Sequence, residues 1–539
     1  MNFTYHRQVV SLGMMKTLIV CALLVAACSH GARKDVTPPV AAEVPETLAA
    51  QAGLSRVEMV EHLLARATFG ARAQDRDRVA RIGAAAFLEE QLHPERIDDA
   101  ALQQRLAQYD ALQQGSGALV QKLVAQRRAR KQEQMMEGAP PPPEGEATAE
   151  PVRAQRVKRD LIMQLSEAKL LRAVGSQRQL EEVMVDFWFN HFNVFAGKQD
   201  EAALLPEYEG RALRPHALGT FPELLEATAR SPAMLIYLDN WRSAAPRPRA
   251  RQQRGLNENY ARELLELHTL GVDGGYTQAD IVEVARCFTG WTVETPREEP
   301  RFVFRPGMHD FGAKRVLGQQ IPPGGGIEDG HRVLRILEQH PSTARFIAAK
   351  LARRFVSDQP PEPLVARVAD SYLRTGGDIR SMLRIIFESP EFWSRQALRA
   401  KVRSPLELVA GAVRALDASV DDPAALAKAV ARIGEPLYAA QPPTGYPDVA
   451  ATWLSSGALL ARIDFGLQLA GGQLPGVRVD LSTLAGGAPE ELVSRAAARL
   501  GATELSETTK DYVVQQLREA PVPARAVGLL LGSPELQRR

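Results

Sequence analysis

Cysteine is scarce in this chain, with three residues among 539, and two of the three lie within the first thirty positions. The remaining sequence therefore has no cysteine pair from which a disulfide framework could form. A CxxC pair, an HExxH helix, a GxxxxGK[ST] loop and a GxSxG turn are also missing. These absences exclude the common signatures of zinc, phosphate-loop and serine-hydrolase sites, so any chemistry must come from dispersed residues.

An excess of charge is missing too, since 66 Lys and Arg residues face 64 Asp and Glu residues. This balance argues against a protein built to hold nucleic acid, and we expect no nucleic-acid partner. The hydrophobic fraction of 45% and the charged fraction of 24% are typical of a soluble globular protein. The length predicts one large folded unit or two to three smaller ones.

The N-terminal segment has the pattern of an export signal. Basic residues precede the apolar run TLIVCALLVAA, which is too short to span a bilayer as a mature helix but suits a secretory signal. The run ends in LVAAC, which resembles a bacterial lipoprotein cleavage site. Residues 1–28 are therefore predicted to be a lipoprotein signal peptide, with Met14 or Met15 as alternative starts. A plain secretory signal and a short membrane anchor are the alternatives.

Cys28 is the residue that this pattern predicts to be lipidated, which would make the membrane a partner of the chain. Ser29 follows it, where the Asp usually linked to inner-membrane retention is absent. This favours attachment to the outer membrane, facing the periplasm. The expected localisation is therefore the cell envelope.

Helical spacing dominates the rest of the chain, which predicts a mainly α fold: a large multi-helix globular domain with a minor β-hairpin near residues 301–321. In that hairpin, RFVFR at 301–305 would pair with KRVLGQQI at 314–321 across the PGMHDFGA turn. The predicted organisation is a flexible tether over 29–53, a helical domain over 54–470 with a disordered insertion at 137–152, and a C-terminal helical extension of the same unit over 471–539.

Several helix starts carry capping signals. Ser55 with Glu58, and Thr277 with Asp280, fit capping boxes, in which each side chain satisfies a backbone N–H of the first turn. Ser342 or Thr343 is expected to cap the helix within STARFIAAKLARRFVSD.

The stretch NENYARELLELHTLG, residues 257–271, is predicted to be one regular amphipathic helix. Asn257 would cap its N-terminus, and Gly271 would close its C-terminus in a left-handed conformation. His268 falls in the middle of the apolar face, where a leucine would suffice. Glu263 is five residues before it, about 140° away around a regular helix, so the two could not easily chelate one ion.

EEVMVDFWFNHFNVFAG, residues 181–197, is apolar on most of its circumference and therefore belongs in a core. Glu182, Asp186, Asn190 and Asn193 form a narrow polar stripe on it. This stripe must face a slit of solvent or a buried pocket of mutually satisfied polar groups. His191 lies off the stripe among large apolar residues, where a core histidine bonded to the backbone is the alternative to a site residue.

His309, Asp310 and Lys314 cluster at the turn of the predicted hairpin, in the segment RPGMHDFGAKRVLG. Loops concentrate functional residues, so the cluster is a candidate binding site. A turn-stabilising Asp with an incidental His is the alternative.

From about Leu54 to about Ala470, the sequences of these segments resemble those of the bacterial "domain of unknown function 1800" family. LLARATFG, DFWFNHFNV, GLNENYARELLELHTLGVDGGYTQADIVEVARCFTGW, HDFGAKRVLG, HPSTARFIAAKLARRFV and KVRSPLELV follow the order of its blocks. Cys287 stands where a small or apolar residue is usual, and Tyr446 where the family commonly has Trp. The resemblance implies an exported, mostly helical protein. It also suggests an exported partner, since family genes often neighbour those of the sulfatase-like "unknown function 1501" family.

Two functions remain open from the sequence. The first is a lipid-anchored envelope protein, a helical binding or scaffold protein that works with an exported partner. The second is a periplasmic enzyme, and a metal-dependent hydrolase is one form of it, since His and carboxylate side chains suit Zn²⁺ or a similar divalent ion. The candidate residues are His268, Glu263 and Asp186 for catalysis, Asn190, Asn193, Asp310 and Lys314 for binding, and His191, His268 and His309 for a metal.

Overall fold

A computed structural model describes residues 45–136, 151–246, 255–502, 504–519 and 521–539 of the chain. Within these ranges the fold is mainly helical, as predicted, and the residues from Val44 to Arg539 cluster as one unit. No helix in the described ranges is both long enough and apolar enough to cross a membrane. The predicted signal peptide and lipidation site lie outside the described residues.

The helices of the first half are α1 (Pro45–Gln51), α2 (Arg56–Ala67), α3 (Ala73–Ile82), α4 (Ala84–Gln91), α5 (Ala100–Leu106), α6 (Asp110–Gln113), α7 (Ser116–Met136), α8 (Pro151–Gly175), α9 (Gln179–His191), α10 (Leu205–Glu207), α11 (Phe221–Ala229), α12 (Pro232–Tyr237) and α13 (Asn259–Glu263). Those of the second half are α14 (Gln278–Cys287), α15 (Glu328–Glu338), α16 (Pro341–Phe355), α17 (Glu362–Thr375), α18 (Ile379–Phe387), α19 (Pro405–Ala415), α20 (Ala424–Ile433), α21 (Ser456–Ala470), α22 (Pro489–Arg499), α23 (Glu507–Glu519) and α24 (Pro523–Leu531).

The strands are β1 (Trp291–Glu294), β2 (Arg301–Phe304), β3 (Lys314–Val316), β4 (Gln319–Ile321), β5 (Ser419–Val420) and β6 (Val477–Arg478). Short 3-10 segments lie at Pro94–Arg96, Glu201–Ala203, Arg214–His216, Asn240–Arg242, Pro306–Met308, Ala450–Thr452 and Ser482–Leu484, and π-helical segments at Tyr208–Leu213 and Leu264–Thr269.

The folded part begins earlier than predicted. The tether was expected to run to residue 53, but α1 already contributes Leu48 and Ala49 to the buried core. Glu46 holds this helix in place, because its carboxylate accepts a hydrogen bond of 2.5 Å from the Ala84 N–H at the start of α4. Among the insertion residues, 137–150 lie outside the described ranges, whereas residues 151 and 152 already belong to α8.

Local capping signals place several helix starts correctly. The capping boxes of Ser55 with Glu58 and of Thr277 with Asp280 are both formed. The expectation for α16 is wrong, because its cap is His340, whose Nδ1 accepts from the Ser342 N–H at 3.1 Å. A histidine cap follows no common preference, so the sequence did not reveal it.

The predicted hairpin between 301–305 and 314–321 is wrong in its pairing. β2 pairs with β1, in an antiparallel register that sets Trp291 opposite Phe304. β3 and β4 form a separate hairpin, whose two-residue turn is made by Leu317 and Gly318, both with positive φ. The first residue of such a turn is normally Asn or Gly. Because this position is a leucine, no local signal predicted that the chain reverses direction within 314–321.

The block at 257–271 is helical but not regular. After α13 the chain forms the π-helical segment Leu264–Thr269, in which the Leu270 N–H donates to the Leu265 carbonyl, five residues back. Asn257 does not cap the helix as predicted. Its side-chain oxygen instead accepts from the Asn259 N–H at 2.9 Å, which forms a turn before α13. The left-handed conformation predicted for Gly271 is confirmed, with φ of 83°.

Candidate functional site

The polar stripe of α9 faces a cavity of about 230 Å³. Asp186 and Asn190 lie within the helix, whereas Asn193 follows its end at His191. Glu182, the fourth member, points elsewhere and pairs with Arg214 at 2.8 Å. The apolar residues of α9 are buried, which confirms that this helix belongs to the core. Of the four residues of the stripe, Asp186, Asn190 and Asn193 line the cavity.

Segments that are far apart in the sequence supply the other walls of this cavity, which we call the α9–α16 cavity. Its lining comprises Lys169 from α8, residues 186, 187, 189, 190 and 191 from α9, Asn193, residues 350, 353 and 354 from α16, Ser404, and residues 435, 437, 438, 440, 444, 446, 447, 448, 449 and 453 from the segments after α20. Such a volume suits a ligand of a few heavy atoms better than a polymer.

Asn190 and Asn193 hold the loop that closes one side of the cavity. The Asn190 amide donates to the Tyr446 carbonyl at 2.8 Å and accepts from the Tyr446 N–H at 2.7 Å. The Asn193 amide donates to the carbonyls of Ala440 and Pro442 at 2.9 and 2.8 Å. Both side chains were predicted to bind a ligand, but these bonds commit their amides to positioning the loop.

Asp186, a predicted catalytic residue, does line the cavity and is paired with Lys169 at 3.1 Å. The Lys169 ammonium also lies 3.8 Å from Glu209, and it stands over the rings of Phe189 and Tyr438 at 4.9 and 5.0 Å. Burial opposes ionisation of Glu209, but Lys169 and two arginines lower the pKa of this carboxyl to about 2. The carboxylates on this wall are therefore neutralised by cations.

A second charge network lies behind the opposite wall. Glu407 binds Arg354 at 2.6 Å and Arg539 at 2.9 Å, and all three residues are buried. Beside them Lys401 bridges Asp358 at 2.6 Å and Asp448 at 2.9 Å. Since each buried carboxylate meets at least one cation, these groups can stay charged in the core.

Lys350 and Glu435 differ from these groups because neither has an ion-pair partner among the described residues, although both line the cavity. Burial lowers the pKa of Lys350 to about 8, and Arg353 adds to this effect while Asp448 opposes it. Burial and the nearby Asp186 raise the pKa of Glu435 to about 8. The Glu435 carboxyl accepts from the Leu406 N–H at 2.8 Å. One amine and one carboxyl in this cavity thus titrate near neutral pH.

His191 and His268 meet beside the cavity. The Nε2–H of His191 donates to the His268 carbonyl at 3.1 Å, and their ring centroids are 6.2 Å apart. Burial lowers the pKa of His191 well below its ordinary value and that of His268 to about 3, with Lys350 adding to both effects. Both rings are therefore neutral, and the His191 Nδ1 and His268 Nε2 atoms have no hydrogen-bond partner in the described structure.

His309 and Lys314 lie in a different cluster, whose centre is Asp329. The carboxylate of Asp329 lies 3.2 Å from Nε2 of His309 and accepts from the Lys314 ammonium at 2.6 Å. Nδ1–H of His309 donates to the Thr289 carbonyl at 2.8 Å. Asp310 instead pairs with Arg286 at 2.8 Å. None of these residues lines the α9–α16 cavity.

Glu263 is not in the cavity either. It is half-buried on α13, where burial and Glu266 raise the pKa of its carboxyl. Across the described ranges, no group of three or more His, Cys, Asp or Glu side chains is arranged to hold a metal ion. His191 and His268 offer fewer protein ligands than the three of a catalytic zinc site. The predicted histidines therefore do not fit a shared metal site.

Lys350, Glu435 and Glu407 are the site residues that the sequence did not single out. Lys350 is in the HPSTARFIAAKLARRFV block, four residues before the buried Arg354, so both cations lie on one face of α16. Cations on a core-facing helix surface are a signal that could have been noticed. Glu435 stands alone in a loop, and nothing local marks it.

Replacing Gly445 by Ala should destabilise the protein. Gly445 has φ of 67°, and a Cβ atom there would collide with the main-chain and side-chain oxygens of Asn190. We expect a loss of about 1–3 kcal/mol in the free energy of unfolding, measured in urea. The matched control is Gly457→Ala in α21, where a Cβ atom meets nothing and stability should be unchanged or slightly higher. Equal stability of both variants and the wild type would contradict the anchoring role of Asn190.

The model of the family described as "Protein of unknown function (DUF1800)" matches residues 62–538. The match extends beyond Ala470, where the resemblance was expected to end, and so includes the C-terminal helices. No curated protein and no solved structure matches the chain. The match covers nearly the whole sequence, and the chain therefore belongs to this family of unknown function.

Proposed function

We propose that this chain is an exported, lipid-anchored protein of the bacterial envelope that binds a small polar ligand in the α9–α16 cavity. The observation that carries the proposal is that the buried Glu435 and the half-buried Lys350 both line this cavity and have no ion-pair partner in the described structure. Burying an ionisable group without a partner costs several kcal/mol. Such groups are therefore more typical of a functional site than of a core that only stabilises the fold.

The proposal includes an exported partner. This part of the proposal is supported by the family resemblance, because genes of family members often neighbour genes for sulfatase-like proteins of the "unknown function 1501" family. The small volume of the cavity is compatible with such a partner. A site for a few heavy atoms can bind the ligand, while another surface of the protein contacts the partner.

Blocking the cavity should abolish ligand binding without unfolding the protein. Thr444 lies at the exposed rim of the cavity, so Thr444→Trp places an indole across its opening. In a screen of small polar fragments by ligand-observed NMR, we expect fragments that bind the wild type to lose binding to this variant. Thr508→Trp, at an exposed position of α23, should bind them normally. Equal binding by both variants, or no fragment binding at all, would count against the proposal.

The membrane anchor depends on Cys28, which ends the apolar run of the signal. Cys28→Ser should prevent lipidation, because only the thiol can receive the diacylglyceryl group of a lipoprotein. The wild type should incorporate labelled palmitate and sediment with outer-membrane vesicles facing the periplasm, whereas the variant should carry no label. A Cys21→Ser control, within the apolar run, should behave as the wild type. Labelling of Cys28→Ser would refute the lipoprotein proposal.

A second candidate function is acid–base catalysis on the bound ligand. It is favoured by Glu435 and Lys350, whose pKa values are both moved to about 8, so that one can donate and the other accept a proton near neutral pH. These two residues, with Asp186 beside them, replace the three histidines in the enzyme hypothesis, because His309 lies in another cluster. A metal ion is not needed for this version.

Glu435→Gln tests whether this carboxyl holds its proton. Since burial and Asp186 raise the pKa of Glu435, the folded protein binds a proton that the unfolded chain releases above about pH 4.5. Stability from this group should therefore fall as pH rises from about 4.5 to about 8, and Glu435→Gln should remove that decline.

The measurement is urea unfolding of both proteins across this pH range. The variant should gain stability relative to the wild type as pH rises. Parallel stability curves for the two proteins would mean that Glu435 is ionised at neutral pH, and acid–base catalysis would lose its proton donor.

A further inference from the structure

We propose that the ligand of the α9–α16 cavity is a small anion, a carboxylate or phosphate compound, and that Lys350 is its principal partner. This inference rests on the proposed function, because it names the ligand class of the same cavity. It is carried by the arrangement of charges around the cavity, by the position of Lys350 and by the groups that face Lys350 from neighbouring elements.

The first step is the charge of the lining. Four cations, Lys169, Lys350, Arg353 and Arg354, line the cavity. The ionisable acids that line it are Asp186, Glu435 and Asp448. Asp186 is neutralised by Lys169 at 3.1 Å, and Asp448 by Lys401 at 2.9 Å.

Glu435 adds no negative charge at neutral pH. Burial and the nearby Asp186 raise the pKa of its carboxyl to about 8, although the hydrogen bonds from the Leu406 N–H and the Ser404 side chain act in the opposite direction. The cavity lining therefore carries more cationic than anionic charge. An anion would restore the balance inside a space that water cannot screen well.

The second step is the position of Lys350. Its ammonium lies 5.5 Å from the centre of the Phe346 ring, and it has neither an ion pair nor a hydrogen bond to any described residue. Arg354, one turn further along α16, is already bound to Glu407. Arg353 donates its Nε–H to the Asp358 carbonyl at 3.1 Å. Lys350 is thus a lining cation none of whose three donors is bonded to a described residue, and Arg353 is a second lining cation without an ion pair to any such residue.

The third step concerns the groups that face Lys350 from the neighbouring elements. His191 from α9 and His268 from the π-helical segment are buried and neutral, so they do not compensate its charge. Asp448 attracts it but is engaged by Lys401, and Arg353 repels it. An anionic ligand would therefore find a cation whose charge is largely unopposed.

Aromatic side chains complete the site without adding charge. Tyr446 and Trp453 line the cavity with ring centroids 5.7 Å apart, and Phe187 lines it from α9. These rings add apolar surface to the cavity, and a charge-assisted hydrogen bond to an anion is stronger in such surroundings than in water. They also suit a ligand that carries a small apolar part beside its charged group.

The test uses full-length protein in a non-ionic detergent and isothermal titration at constant ionic strength. The probes are malonate and inorganic phosphate as anions, with malonamide, a neutral compound of nearly the same shape as malonate, and glycerol as controls. We expect at least one anion to bind and both neutral compounds to bind at least about tenfold more weakly. Malonate and phosphate together tell a carboxylate site from a phosphate site.

Lys350→Met keeps an unbranched side chain one atom shorter and removes its charge, and it should weaken anion binding by at least about tenfold. Lys122→Met, at an exposed position of α7, is the matched control and should bind as the wild type does. Thermal unfolding of each variant shows whether the fold is retained. Because Lys350 and Glu435 both titrate at about 8, anion affinity should also fall between about pH 6.5 and about pH 9.5.

Each result distinguishes this inference from the proposed function. If malonamide or glycerol binds as tightly as the anions, and Thr444→Trp abolishes that binding, the cavity takes a neutral ligand and only the anion inference fails. Anion binding that Lys350→Met leaves unchanged also overturns the inference, because the anion then binds elsewhere. If no probe and no polar fragment binds the folded wild type, both the inference and the proposed function fail.

Discussion

The double ion pair of Glu407 is the interaction on which the cavity depends. Its carboxylate binds Arg354 of α16 and Arg539 at the C-terminal end of the described chain, while Ser404 and Glu407 form the capping box at the start of α19. One buried carboxylate thereby ties α16, α19 and the C-terminal segment together. Removing one partner of such a buried pair typically costs about 3–5 kcal/mol, because the remaining charges lose their compensation. The wall that carries Lys350 is therefore fixed by charge as well as by apolar packing.

The opposite wall depends on neutral hydrogen bonds instead. Asn190 and Asn193 bind the backbone of the loop between residues 440 and 446, and Gly445 allows the close approach that these bonds require. Amides can satisfy backbone donors and acceptors without introducing charge, so these hydrogen bonds add no net charge to the cavity wall. The loop between residues 440 and 446 therefore shapes the cavity, whereas its charged groups come from α8, α9 and α16 and from Glu435 and Asp448.

Much of the fold was predictable because the signals involved are local. The capping boxes at Ser55 and Thr277, the left-handed Gly271 and the apolar circumference of α9 all follow from neighbouring residues. The errors arose where a local signal was absent or misleading. The turn at Leu317 and Gly318 uses a leucine at positive φ, and the π-helical segment around His268 leaves no compositional mark.

The candidate site was only partly predictable for a related reason. Asp186, Asn190, Asn193 and His191 share one short segment, so a helical wheel could group them, and all four line the cavity. Lys350 and Glu435, by contrast, are 85 positions apart and line the same cavity only because of the tertiary fold. Sequence periodicity cannot predict such a placement. His309 was grouped with the other histidines because all three lie in blocks that resemble the family, whereas in the structure His309 and Lys314 both contact Asp329.

Lys350 also shows why a site can be recognised by what the fold leaves unsatisfied. Along α16 the neighbouring charges follow the usual rule, since Arg354 is paired with Glu407 and the apolar Ile347 and Leu351 are fully buried. Lys350 breaks that rule on the same helix, where methionine would fill the space without the desolvation cost. This inconsistency lies at a residue that lines the cavity. Natural sequences concentrate such inconsistencies at functional sites, and this argues for selection on ligand binding rather than on stability.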